Sequence, residues 1–445
     1  MTRWTTTRVL AALLLWLVMA LPQAAHAAQA RVITTPKGFK VWFVEDHTVP
    51  IIAMNYAFRG GAAQDPADKR GLAHFLSAML DEGAGELDSA AFQERMEELA
   101  FSMSHSAGQD WFSGSFRTLA KNRVESFRLL ALALQKPRFD AQPLERVRRQ
   151  LLVSLKSREE DPDRQAWKAF RQALFGKHPY ALEAEGTEQG IAAITAEDLR
   201  SLHKRLFAQD NLIITAAGAI SEQELAQLVD ATFGALPEKS AMPPTKVPAM
   251  PQQAREIVIR RSIPQTIIIM GHEGLLRNDP DFIPAFVVNH ILGGGGFGSR
   301  LMEEVREKNG LAYSVYSAMF AYEKAGVFFA QASTRNDQAR RALELMKRQI
   351  RDVAENGVSE QELEEAKKYL IGSWPLRFDS TTRIASVLMA FRQQGLGIDY
   401  IRKRNDLMRA VTVEDARRAA RRLLKPGRLQ VVLYGAPTGN GKTQN

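Results

Sequence analysis

The chain repeats itself, and that limits it to two copies of one folding unit. Thr48-Val49-Pro50 opens an apolar stretch reaching Gly60, with Asp65-Pro66 beyond it. Ser262-Ile263-Pro264 opens a second such stretch, with Asp279-Pro280 beyond it, and both landmarks are offset by 214 residues. Thr195-Ala196-Glu197-Asp198 and Thr412-Val413-Glu414-Asp415 each place an acidic residue three positions after a threonine, the pattern of a helix N-cap. Each precedes an apolar strand, 212–218 and 429–435, at an offset of 217. A length of 445 residues with 45% hydrophobic content supports two cores, since single domains run to about 200 residues.

The units meet at a proline-rich stretch. Pro237, Pro243, Pro244, Pro248 and Pro251 fall within 236–252, and such a segment sustains neither a helix nor a central strand. The expected organisation is 28–235 as the first domain, 236–252 as linker, 253–437 as the second domain and 438–445 as a disordered tail. Residues 1–27 have the form of a secretory signal peptide: Arg3 and Arg8, an apolar run over 9–21, then Ala25-His26-Ala27 as a small-x-small cleavage site. The run is short for an uncleaved membrane anchor. No later stretch approaches the roughly 18 apolar residues of a span, so stable membrane insertion is not expected. A periplasmic location follows from the leader.

Within a unit, both strand and helix periods occur. Residues 51–58 form an apolar run before Arg59-Gly60-Gly61, whereas 110–117 alternate, with Trp111, Ser113 and Ser115 on one face. Leu72, Phe75, Leu76, Met79 and Leu80 give 71–80 a helical spacing, and helices are expected at 123–134, 144–158 and 166–174. The fold class is α+β, each domain a mostly antiparallel sheet with packed helices. The net charge is +9. The basic runs at 146–149 and 417–422 carry no interleaved aromatics, and they read as solvated helix faces, not a nucleic-acid surface. Absence of cysteine excludes disulfides and thiolate metal sites.

His74-Phe75-Leu76-Ser77-Ala78 has the frame of an inverted zinc motif, His-x-x-Glu-His, with most of its chemistry missing. Two histidines one turn apart share a metal, and the glutamate between them activates its bound water. Here Ser77 stands in the glutamate position and Ala78, with no donor atom, in the second histidine position. The remaining mature-chain histidines, His47, His105, His178, His203, His272 and His290, show no ligand spacing among themselves. Gly293, Gly294, Gly295 and Gly296 form a run that implies a mobile or tightly turned backbone. No Gly-Lys-Ser or Gly-Lys-Thr follows, which argues against nucleotide binding. A helix over 301–309 then ends at Gly310, a good C-cap residue, before a strand at 311–317.

Taken together, Arg59-Gly60-Gly61, the segment 71–76, His178-Pro179-Tyr180, the glycine run and 306–313 resemble the pitrilysin-type inverted-zinc metallopeptidases, in their processing-peptidase-like branch. That resemblance covers nearly all of the mature chain. It implies two homologous domains facing each other as half of a clamshell. It also implies a third ligand, a glutamate, on a later helix, and Ser154 fills that position. Catalytic zinc takes three protein ligands, and only His74 remains, so no metal or other cofactor is expected in this chain. The resemblance further implies that Arg306 and Tyr313 bind substrate across an internal cavity. The expected function is therefore that of a non-catalytic subunit of a secreted heteromeric zinc metalloendopeptidase. It would supply Arg306 and Tyr313 in trans to a homologous zinc-bearing partner acting on unfolded peptide. The alternatives are a peptide-binding or scaffold pseudopeptidase without a proteolytic partner, and an autonomous peptidase with an unrecognised ligand set. Strand 110–117 is expected at a sheet edge, open to peptide addition.

Overall fold

The computed structural model describes residues 30–438. The leader at 1–27 and nearly all of the tail at 438–445 lie outside the described residues. The first sheet is built from β1 (Arg31–Thr34), β2 (Lys40–Glu45), β3 (Ile51–Arg59), β4 (Ser102–Ala107), β5 (Trp111–Leu119) and β6 (Leu212–Gly218). The second is built from β7 (Arg255–Arg260), β8 (Gln265–Glu273), β9 (Ala312–Ala321), β10 (Gly326–Arg335) and β11 (Gln430–Gly435). Their orders are β1-β2-β6-β3-β5-β4 and β7-β11-β8-β10-β9. Apart from the extra β1, one order is the other repeated. Among the described residues each sheet has a single parallel pair, β2 with β6 and β7 with β11, and is otherwise antiparallel. The expected α+β class with two repeated units holds.

The repeated glycines have a steric cause. Gly218 and Gly435 end their strands at φ 136° and 149°, where a side chain is strained. A Cβ on Gly218 would lie 2.2 Å from the Ile51 carbonyl oxygen, and one on Gly435 2.8 Å from that of Gln265. Gly114 of β5 has a different cause. It faces Tyr56 across the β3–β5 pair, and the Tyr56 ring lies where its Cβ would go, with Cζ at 2.2 Å. The Tyr56 hydroxyl is 2.5 Å from His105 Nε2, and burial pushes the His105 imidazole down to about 3. Gly114→Ala therefore displaces a fully buried ring with a fixed polar tip. It should cost about 1–3 kcal/mol, read as a lower midpoint in urea with an unchanged slope.

One face of each sheet carries the main core of its own half. Around the first are Phe43, Phe58, Phe75, Phe112 and Phe116; around the second, Ile268, Met270, Phe328, Met346 and Leu433. The other faces are covered by exchange. Helix Pro162–Phe175, from the first half of the sequence, buries Ala166, Phe170 and Leu174 against Ile267, Ile269, Val327 and Val432 of the second sheet. Helix Thr381–Gln393, from the second half, buries Ile384, Ala385 and Leu388 against Trp42, Val44, Ala53 and Ala217 of the first. Polar contacts fix both. Trp167 Nε1 donates to Gln331 Oε1 at 3.0 Å, and Thr215 Oγ1 donates to the Ala385 carbonyl at 2.9 Å.

The His178-Pro179-Tyr180 motif belongs to this seam. Tyr180 donates its hydroxyl hydrogen to Asp110 Oδ1 at 2.6 Å, and the Glu323 backbone N–H donates to Asp110 Oδ2 at 2.8 Å. The Tyr180 and Tyr322 rings stack at 4.3 Å. A residue from each half thus meets on one carboxylate. Residues 237–254 contain neither helix nor strand.

Two sequence expectations are corrected. β5 is not an edge strand, because β4 pairs along it from Ser102–Arg117 to Ala107–Phe112. The open edge is β4, whose sequence, Ser-Met-Ser-His-Ser-Ala, carries almost no strand signal. The basic runs are also more than solvated faces. Arg148 donates to the Ile194 carbonyl at 2.7 Å, while Arg418 and Arg422 clasp buried Asp281 and hold its carboxyl low.

Candidate functional site

The metal-motif segment folds as a helix of six residues, Leu72–Ser77, shorter than the helical spacing over 71–80 suggests. Gly71 starts it at φ 99°. The Asp65 carboxylate accepts from the Gly71 and Ala73 backbone N–H groups at 2.9 and 3.1 Å, which satisfies donors left open at the helix start. At the other end Ser77 Oγ donates back to the His74 carbonyl at 2.7 Å, and Ala78 is the C-cap. Ser77 thus spends its hydroxyl hydrogen on its own helix. Ala78 presents only a methyl group, half-buried against the first core.

Ser154 lies on helix Ala141–Glu159, one turn before Arg158. Arg158 Nε is 3.4 Å from Ser154 Oγ, and its Nη1 is paired with the Glu185 carboxylate. Burial would raise the Glu185 carboxyl, but its own backbone N–H and the Arg158 guanidinium outweigh that and hold it low. Burial pushes the His74 imidazole down, Glu185 pulls it up and Arg158 pushes it down again. His74, Ser154, Arg158 and Glu185 therefore form one electrostatic cluster in which the cation is a guanidinium.

The family resemblance implies zinc here, and the donor set does not fit it. One imidazole, one methyl group and two hydroxyls stand where three ligands and a base are needed, and a fixed positive charge sits beside them. Among the described residues, no group of three or more His, Cys, Asp or Glu side chains is placed to hold a metal ion. Sequence reasoning missed Arg158 and Glu185. Arg158 was legible as the residue one turn beyond Ser154; Glu185, in a loop, gave no periodic signal.

The glycine run is not one loop. Gly293 and Gly294 complete a π-helical turn, His290–Gly294, and Gly296 begins a 3-10 turn at φ 64°. Gly293 is fixed by space, since a Cβ there would lie 2.5 Å from the Ser317 backbone nitrogen. Just beyond, Arg300 donates from Nε and Nη2 to the two Glu362 oxygens at 2.6 and 2.8 Å, and from Nη1 to Asp352 at 2.7 Å. Ser359 adds a backbone N–H and a hydroxyl to Glu362.

The Arg300 guanidinium holds the Glu362 carboxyl down at about 2. A carboxyl depressed in the folded state stabilises the fold above its ordinary value of 4.5 and ceases to do so as pH falls towards 2. Stability should thus drop through that window by up to about 2 kcal/mol after solvent screening. Glu362→Gln should remove that part of the acid transition in pH-dependent denaturation.

Arg306 sits in a second π-helical segment, Met302–Glu307, where a regular α-helix was expected. Its guanidinium carbon lies 4.5 Å from the Phe297 ring centroid and 5.0 Å from that of Tyr313. Its Nε is 3.4 Å from Glu307. Tyr313, the second residue of β9, is 84% exposed, and Phe297 is 68% exposed. The polar and aromatic partners of Arg306 all come from the second half. The structure brings Arg306 and Tyr313 together, and links Ser77 to His74 directly and Ser154 to His74 through Arg158. Phe297 was missed because it stands among glycines, outside any period.

Comparison with known proteins places both halves of the chain in one family. Residues 40–188 match the insulinase (peptidase family M16) model, and residues 193–370 match the peptidase M16 inactive domain model. The chain belongs to peptidase family M16. A crystal structure described as a peptidase M16 inactive domain from Pseudomonas fluorescens aligns with a TM-score of 0.86 and 30% identity, over 94% of this chain and 100% of that one. The non-peptidase homolog YmxG of Helicobacter pylori is 28% identical over 361 residues, 81% of this chain and 83% of that protein. The periplasmic protease PqqL of Escherichia coli shares the fold at a TM-score of 0.78 and 18% identity, over 92% of this chain and 45% of that one. An M16 fold with one ligand position filled is consistent with a pseudopeptidase. Among the described residues no helix is long and apolar enough to cross a membrane.

Proposed function

We propose that this chain is the non-catalytic subunit of a secreted zinc metalloendopeptidase complex, acting with a homologous zinc-bearing subunit. One observation carries the reading. Arg306 lies over an exposed Tyr313 on a fold whose own degenerate metal motif stands beside an arginine–glutamate pair. A lone exposed tyrosine against an arginine gains little for folding. Facing a partner's active site, the guanidinium and phenol donate hydrogen bonds to peptide carbonyls and to the oxygen that turns negative as a carbonyl is attacked. The leader-like first 27 residues support work in the periplasm.

The test is reconstitution. The chain purified alone should hold no stoichiometric zinc and cut no peptide. Recovered with a zinc-bearing homologue from its own cell, it should form a complex that does both. Stoichiometric zinc together with cleavage by the pure chain would overturn the reading.

A second reading, peptide binding without cleavage, is favoured by the edges. β1 carries Arg31, and β7 carries Arg255, Glu256 and Arg260. Such charges protect an open edge from pairing. β4 and β9, the other two edges, have no Lys, Arg, Asp, Glu or Pro, and helix Leu72–Ser77 packs beside β4. Under this reading Ser104→Pro abolishes peptide binding by the isolated chain, while Arg306→Ala leaves it intact.

A further inference from the structure

We infer that Phe297 is a positioning residue, an aromatic rest that fixes the Arg306 guanidinium so that its remaining N–H donors face a bound peptide. This rests on the reading that Arg306 binds substrate for a partner subunit.

Phe297 is 68% exposed and belongs to none of the buried clusters. Its neighbours Gly296 and Gly298 have nothing within 4 Å of where a Cβ would stand, and Gly296 is at φ 64°. Flanking backbone this open does not orient the ring. The contact that does is the Arg306 guanidinium, 4.5 Å from its centroid.

The guanidinium lies over two rings, Phe297 and Tyr313. It is planar, and its five N–H donors lie in that plane. Aromatic rings accept none of those donors as a carboxylate would, so contacts with them leave the donors free. Arg300, six residues away, shows the contrast: its donors go to Glu362 and Asp352, and it serves as an anchor. Arg306 has one ion-pair contact, Nε to Glu307 at 3.4 Å, and among the described residues no hydrogen bond engages its two Nη groups. Two aromatic contacts therefore hold a long side chain still without using its recognition edge. Its backbone adds to this, since the π-helical segment carries wide turns, Glu303 accepting from the Lys308 N–H at 2.9 Å. Such turns recur at functional sites. Removing Phe297 leaves the charge in place and frees it to wander.

The experiment uses the full chain labelled with 15N-arginine, with the Arg306 Nε–H resonance assigned by its loss in Arg306→Lys. In the unaltered chain that resonance should be ordered and protected from exchange. Phe297→Ala and Phe297→Leu should lose both properties, and Phe297→Tyr and Phe297→Trp should keep them, with global melting unchanged throughout. In the reconstituted complex, Phe297→Ala should lower kcat/KM about two- to five-fold, the range for one exposed cation–π contact. That loss should be carried by KM and restored by tryptophan. An Arg306 resonance as ordered in Phe297→Ala as in the unaltered chain overturns the inference, as does full protection in Phe297→Leu. If Arg306→Ala leaves the complex fully active, the proposed function fails; the resonance arm still decides what Phe297 does.

Discussion

Divided within residues 237–254 and produced as separate pieces, the chain should yield no independently folded half. The reason is the exchange of helices. Without the second piece, Trp42, Val44, Ala53 and Ala217 lose their cover, and helix Pro162–Phe175 has no sheet to lie on. Phe170, Leu174, Phe175, Ile384 and Leu388 are all nearly fully buried in these two seams. At about 1.5–3 kcal/mol for each large apolar side chain, their burial amounts to roughly 10 kcal/mol. That is comparable to the whole net stability of a protein, about 5–15 kcal/mol. Each piece alone should bind a hydrophobic dye and lack near-ultraviolet dichroism, and the two produced together should assemble. A first piece that unfolds cooperatively on its own would contradict this packing account.

Arg306→Ala should lower kcat/KM of the complex with a zinc-bearing partner by about 100-fold or more, the usual loss for one preorganised donor to a developing oxyanion. Tyr313→Phe removes one hydroxyl and should cost about tenfold. Neither should move the melting temperature. Tyr313 is 84% exposed, and the Arg306 contacts are a 3.4 Å ion pair and two exposed rings, worth about 1 kcal/mol or less each. Arg306→Lys keeps the charge without the planar fork, so it should recover only part of the loss. Equal losses of activity and stability would mean that these residues support the fold instead.

Much of this architecture was legible in the sequence because it depends on local rules. The capping threonines Thr195 and Thr412 both accept from the backbone N–H three residues on, within full capping boxes. The glycines at 218 and 435 mark the same strand end twice. The loss of metal ligands needed only residue identities. What could not be read is which surface a buried face meets. An apolar stripe shows that helix Pro162–Phe175 is covered, and the stripe is the same whichever sheet does the covering. The order of β4 and β5 was hidden for a related reason. Alternation in β5 fits a half-buried strand at an edge or inside a sheet, and the serine-rich β4 gave no warning that it lay outside. The guanidinium at the relic site escaped because its partner, Glu185, is brought there by tertiary folding alone.

The exchange also sets a timetable for synthesis. β6, ending at Gly218, is the last strand of the first sheet, but the helix that closes its outer face ends at Gln393. A ribosome adding 5–20 residues per second needs roughly 10 to 35 s to cover that distance. For that interval a tryptophan, a valine and two alanines wait uncovered on a newborn sheet. The outer face of the amino-terminal sheet is thus completed only by residues close to the end of the polypeptide.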